Sequence, residues 1–182
     1  QVVWARTYLP PLNDRDTHIK SLLKQKGLLV KSFPGHLLFE PWSVSPKSSD
    51  FFKVYTPFWK ATRLKDTLGF ETKVSEIIAT DQKLMTESLD GWRFGKGMSR
   101  GSSVVRRFVR LGEDAARERL AYFISSNVKH YSTFRDIPSL DGTSGLSENL
   151  SLGEISPIEC WNAGLKALEE GHDAAEIFLK EL

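Results

Sequence analysis

The sequence predicts an α/β unit followed by an all-helical unit, with a long irregular connection between them. Strand-like and helix-like runs alternate over residues 1–69, and apolar residues recur at helical spacing over 113–182. Residues 70–112 follow neither pattern, apart from a short helix expected near Ile77. An irregular stretch of that length marks a boundary between units.

Val2-Val3-Trp4 reads as a strand, and Tyr8-Leu9-Pro10-Pro11-Leu12 as the turn at its end. A helix is expected from Asn13 or Asp14, with Ile19, Leu22 and Leu23 on one face and Gly27 as its left-handed stop. Leu28-Leu29-Val30 and Leu37-Leu38-Phe39 have strand length, with Phe33-Pro34-Gly35 turning between them. Strand, helix, strand implies a parallel βα unit. No G-x-G-x-x-G follows a strand, so the dinucleotide fingerprint is absent. After a loop over 41–50, Thr56 is placed to cap a helix with Pro57 first. Phe58, Ala61, Leu64 and Leu68 continue that helix to Gly69.

From Gly112 the pattern is helical. Ala116, Leu120, Ile124 and Val128 recur at four-residue steps, with Phe123 beside them, after the acidic start Glu113-Asp114. A polar stretch runs from Asp136 to Leu152. Ser156-Pro157-Ile158-Glu159 then joins a capping box to a proline at the first helical position. Ile158, Trp161, Leu165 and Leu168 share the face expected to be buried. Ala175, Ile177, Phe178 and Leu182 start a further helix after Gly171. The chain opens on Gln1 in front of strand-like residues and ends at Leu182 within a helical pattern. The expectation is an internal fragment, with a processed terminus as the alternative for Gln1.

The composition is that of an ordinary globular protein, which excludes collagen, coiled coil and bulk disorder. No apolar run is long enough to span a bilayer. The one cysteine, Cys160, excludes an intrachain disulfide and fits a reducing, cytoplasmic compartment. The four histidines and Cys160 lack ligand spacing, so no metal site is expected.

Charge is segregated beneath a formal net of +2. Residues 1–90 hold 13 basic and 10 acidic residues, whereas 91–112 hold six basic residues (Arg93, Lys96, Arg100, Arg106, Arg107, Arg110) and no acidic one. Residues 113–182 hold 6 basic and 13 acidic residues. The basic stretch carries Trp92, Phe94 and Phe108 among several glycines and serines. It reads either as a solvated linker matched to its acidic neighbour or as a patch touching nucleic acid.

One polar run stands apart: Tyr131-Ser132-Thr133-Phe134-Arg135-Asp136-Ile137-Pro138, then Asp141-Gly142-Thr143-Ser144-Gly145-Leu146-Ser147, then Gly153-Glu154-Ile155-Ser156-Pro157. Residues 142–147 offer three hydroxyls, free backbone N–H groups and two glycines beside an expected helix start. That chemistry can hold a phosphate without a lysine. A plain helix-capping loop is the alternative.

The wording of these motifs closely resembles the flavin-binding signature of the DNA photolyase/cryptochrome family. Trp4-x-Arg6-x-Tyr8-x-Pro10 with Asp14-Arg15-Asp16, Gly35-x-Leu37-Leu38-x-Glu40-Pro41, and Lys53-Val54-Tyr55-Thr56-Pro57-Phe58 resemble that family's nucleotide-like domain, in the family's order. The resemblance implies that 1–69 is the C-terminal part of a Rossmann-like parallel α/β domain and 70–112 an interdomain linker. Residues 113–182 would then be the first helices of the photolyase FAD-binding helical domain.

The resemblance further implies a fragment of a blue-light-dependent deoxyribodipyrimidine photo-lyase, a carbon–carbon lyase acting on pyrimidine dimers in damaged DNA. A cryptochrome-type receptor without repair activity shares every motif quoted. FAD is the implied cofactor. Tyr131 corresponds to a residue lining the flavin, and Thr143, Ser144, Gly145, Leu146 and Ser147 to the loop gripping the pyrophosphate. Arg135 corresponds to a DNA-facing position. The bland alternatives are a core aromatic for Tyr131 and an ion pair with Asp136 or Asp141 for Arg135. No catalytic residue is expected in this fragment, because the lesion-facing segment and the electron-relay tryptophans would follow Leu182. A second antenna chromophore, folate or deazaflavin, belongs to the implied whole protein, with no residue assigned to it here. The implied protein is a monomer without a membrane partner.

Overall fold

A computed structural model describes residues 1–46, 49–63, 65, 67 and 85–182. Strand β1 (Val2–Ala5) and strand β2 (Val30–Phe33) pair in parallel, with Val2 opposite Val30 and Ala5 opposite Phe33. Helix α1 (Pro10–Gln25) makes the crossover. It begins earlier than the sequence suggests. Pro10 and Pro11 belong to its first turn, where an N–H has no acceptor within the helix to lose. Gly27, at φ 75°, stops it as expected, with the Leu28 N–H donating to Leu23 O at 3.1 Å. Ile19 and Leu22 stay exposed, since two strands cover little of that face.

Leu37-Leu38-Phe39 do not form a strand. Pro34 and Pro41 flank them and cannot donate to a ladder, and Leu38 and Phe39 pack instead against a tryptophan cluster further along the chain. The motif residues at this end hold one another. Glu40 Oε1 accepts from Arg6 Nη1 and from the Tyr8 hydroxyl, each at 3.0 Å, and the Gly35 N–H donates to Tyr8 Oη at 3.0 Å.

Helix α2 (Tyr55–Thr62) begins at Tyr55, so Thr56 lies inside the first turn rather than capping it. First-turn N–H groups need no helical acceptor, which lets Pro57 sit third. Leu64, Leu68, Gly69 and the helix expected near Ile77 lie outside the described residues. The described part of the connection is not fully irregular. It forms α3 (Leu89–Trp92), a 3₁₀ turn over Phe94–Met98, and α4 (Arg100–Val105).

Helix α5 (Glu113–Tyr122) runs into a widened π-type turn at Phe123–Asn127, then a 3₁₀ turn and α6 (Tyr131–Phe134). Then come α7 (Ser147–Leu152), α8 (Pro157–Glu169) and α9 (Ala175–Glu181). Pro157 opens α8 as expected and Ser156 Oγ accepts from the Ile158 N–H at 3.2 Å, but Glu159 accepts from Arg117 Nε at 3.2 Å instead of closing a capping box. Ala116, Leu120, Phe123, Val128, Tyr131, Leu146, Cys160 and Phe178 are buried in one core. A second cluster of Trp59, Trp161 and Leu179 ties α2 to α8 and α9. Among the described residues, no helix is long and apolar enough to cross a membrane.

Candidate functional site

The loop after α6 is held in place by a close approach. A Cβ on Gly142 would sit 2.6 Å from Phe134 Cβ and 2.8 Å from Phe134 backbone, so only glycine fits there unshifted. Asn127 Nδ2 donates to Asp141 O at 2.7 Å from the other side. Gly145 takes φ 61°, a left-handed value that turns the chain into α7.

This loop lines a cavity of about 760 Å³. Thr143, Ser144, Gly145 and Ser147 form one side, and Arg107, Phe108 and Arg110 from the basic connection form another. Arg119 and Tyr122 of α5, with Asp141 and Glu148, complete the wall. None of the backbone N–H groups of residues 143–147 donates a hydrogen bond to an acceptor among the described residues. Arg119 Nη1 pairs with Glu148 Oε1 at 2.6 Å, while Arg107 and Arg110 form no ion pair among the described residues. The cavity lining therefore combines the loop's three hydroxyls, amides that have no acceptor among the described residues, and three arginines against the two carboxylates Asp141 and Glu148, a net positive wall that suits a polyanion.

Asn149, fully buried, knits this wall together. Its Nδ2 donates to Arg110 O at 2.9 Å and to Glu154 Oε2 at 2.7 Å, and its Oδ1 accepts from Arg119 Nη1 at 3.2 Å. The Arg110 N–H donates to Glu148 Oε1 at 3.2 Å.

The other expected site residues lie elsewhere. Leu146 is buried in the same core as Tyr131, and neither lines the cavity. Tyr131 packs edge-on to Phe123 at 5.2 Å and Phe178 at 6.2 Å, and its hydroxyl donates to Glu181 Oε2. Arg135 donates through Nη1 to Glu181 Oε1 and through Nε to Asp136 Oδ1 at 3.3 Å. Its guanidinium also lies 5.8 Å from the centre of the Tyr131 ring. Burial first, and then the Glu181 carboxylate, push the Tyr131 hydroxyl well above its ordinary pKa. Tyr131, Arg135 and Glu181 thus form a second polar group of their own.

Sequence reasoning missed Arg119, Tyr122 and Glu181 as participants, and it noted Arg107, Phe108 and Arg110 only as part of a basic stretch. Arg119 had a signal. It follows Ala116 by three residues, at the edge of the buried stripe, where a cation must find partners.

Residues 1–76 match the family model described as DNA photolyase. The chain is 34% identical over 163 residues to the deoxyribodipyrimidine photo-lyase of Agrobacterium fabrum, covering 89% of this chain and 34% of that one. A crystal structure of a bacterial class III photolyase from Agrobacterium tumefaciens superposes with a TM-score of 0.84 at 33% identity. That match covers 99% of this chain and 38% of the other. By sequence and by fold, the chain is similar to about a third of a DNA photolyase. Arabidopsis thaliana cryptochrome-1 is also similar, 24% identical across all of this chain and 28% of its own length. The chain spans about a third of the length of the curated photolyases it matches.

Within this photolyase-like chain, the cavity residues fit a phosphate-bearing cofactor. The free amides of 143–147 and the hydroxyls of Thr143, Ser144 and Ser147 supply donors, and Arg107 and Arg110 supply charge.

Proposed function

We propose that this chain supplies one wall of the FAD site of a light-dependent deoxyribodipyrimidine photo-lyase, with 1–69, 70–112 and 113–182 as partial α/β domain, linker and start of the helical domain. One observation carries the reading: the Thr143–Ser147 loop, whose N–H groups have no acceptor among the described residues, lines a cavity with Arg107 and Arg110, which form no ion pair among those residues. Thr143, Ser144, Gly145 and Ser147 would hold the pyrophosphate, with Leu146 anchoring the loop in the core beside Tyr131. When bound, reduced FAD would supply the light-driven electron that splits a cyclobutane pyrimidine dimer. The chain's own part is to bind and orient. Among the described residues, Arg135 Nη2 makes no hydrogen bond, which leaves it able to meet a phosphate of damaged DNA.

The test is flavin content in the full-length protein after gel filtration. Changing Thr143 and Ser147 together to Ala is expected to lower it several-fold, and unchanged content refutes the site. The 182-residue chain alone, supplying one wall, is expected to lose flavin on the column.

The similarity to cryptochrome-1 supports a second reading, a blue-light receptor without repair activity. Light-dependent repair of a thymine dimer by the full-length protein separates the two.

A further inference from the structure

Among the described residues, Arg119 is the one cation of the cavity wall whose guanidinium is hydrogen-bonded to the protein, through both terminal nitrogens. Nη1 donates to Gly145 O at 2.5 Å and to Asn149 Oδ1 at 3.2 Å, and it pairs with Glu148 Oε1 at 2.6 Å. Nη2 donates to Phe108 O at 3.0 Å. Its side chain is 15% exposed, and Glu148 neutralises it. A guanidinium paired with Glu148 and holding carbonyls on both terminal nitrogens has its charge met within the protein. It is well placed to set geometry, because its planar fork fixes several acceptors at once.

Arg119 joins three segments: its own, one 11 residues before it and one 26 residues after it. Phe108 lies near the end of the basic connection, Arg119 is on α5, and Gly145 lies in the hydroxyl-rich loop. Holding the Gly145 carbonyl on the guanidinium fixes the peptide joining Gly145 to Leu146. Its N–H, on Leu146, is trans to that carbonyl and points the opposite way, leaving that donor free. Holding the Phe108 carbonyl at the same time sets Arg107 and Arg110 opposite that loop.

We infer that Arg119 is a positioning residue for dinucleotide binding: it clamps the Gly145 and Phe108 carbonyls so that the loop amides and the Arg107/Arg110 cations face one diphosphate. The inference rests on the FAD reading above. It separates recognition of the diphosphate from recognition of the flavin ring, and a general loss of structure would not do that.

The test uses the full-length apoprotein with Arg119→Gln and Arg119→Lys, titrated with FAD and with riboflavin, which lacks phosphates. Arg119→Gln is expected to weaken FAD by roughly tenfold or more, as for loss of a charged hydrogen-bond clamp, with riboflavin within about twofold of the parent. Arg119→Lys keeps the pairing with Glu148 but cannot span both carbonyls, so it is expected to fail like Gln. If Gln does not fold, the Lys variant decides. FAD affinity unchanged, FAD and riboflavin falling together, or full rescue by Lys each overturns the inference. Full FAD retention in the Thr143→Ala/Ser147→Ala protein overturns the underlying site instead, and the inference with it.

Discussion

Tyr131 donates its phenolic hydrogen to Glu181, fifty residues further along, from within the Phe123/Phe178 aromatic core. The same carboxylate receives Arg135 on its other oxygen. Removing the hydroxyl with Tyr131→Phe leaves Arg135 as the partner of Glu181. The expected cost is about 1–2 kcal/mol, read by urea unfolding.

The same pair sets an alkaline limit. The pKa of Tyr131 is raised in the folded state by burial and then by Glu181, from an ordinary value of 10.0. Folding favours the neutral hydroxyl, so its stabilisation is complete below about pH 10 and is lost as pH climbs toward the folded value. Unfolding free energy between pH 8 and 11 should fall less steeply in Tyr131→Phe than in the parent. Parallel curves would contradict this.

Cys160 is fully buried on α8, and burial pushes its thiol up to about 12. At pH 8 only about one molecule in ten thousand then carries the reactive thiolate. A chromogenic disulfide reagent is expected to leave Cys160 unmodified in the native protein and to react stoichiometrically in urea. Rapid native labelling would show that α8 opens locally.

Trp161 meets Trp59 edge-on at 5.9 Å and Phe39 at 5.8 Å, joining the last helices to the first part of the chain. Trp161→Ala should cost about 3–5 kcal/mol. Trp161→Phe should cost clearly less, since Nε1 has no acceptor among the described residues and its loss breaks no hydrogen bond. A double-mutant cycle with Trp59→Ala is expected to show coupling of about 0.5–1.5 kcal/mol.

Gly142→Ala forces a methyl group onto Phe134 backbone, and the loop must shift to admit it. The expected result is a loss of about 1–3 kcal/mol together with weaker FAD retention. Unchanged stability would mean that the loop position is not fixed by that approach.

What could be read from the sequence was local. The stop at Gly27, the start at Ser156-Pro157 and the stripe Ala116–Leu120–Phe123 each depend on residues within a turn or two of one another. The hydroxyl-rich motif was legible for the same reason, since its residues are contiguous. Where local signals compete, neighbouring residues alone do not decide the element. Pro10 and Pro11 can end a turn or begin a helix, and Leu37-Leu38-Phe39 has strand length whether or not a neighbour exists to pair with it.

Partnership between distant residues was decided only by tertiary structure. Composition showed that 91–112 is basic but not what it faces, and the fold turns Arg107 and Arg110 toward the 143–147 loop. Periodicity placed Arg119 at the edge of the buried stripe without naming its partners, and packing supplied Phe108, Gly145 and Asn149. Glu181 carried no motif at all until α9 packed beside α6 and brought it to Tyr131 and Arg135. The reason is physical: a cap or a stripe is satisfied within its own helix, whereas a buried charge or hydroxyl takes its partner from whichever segment the core brings near.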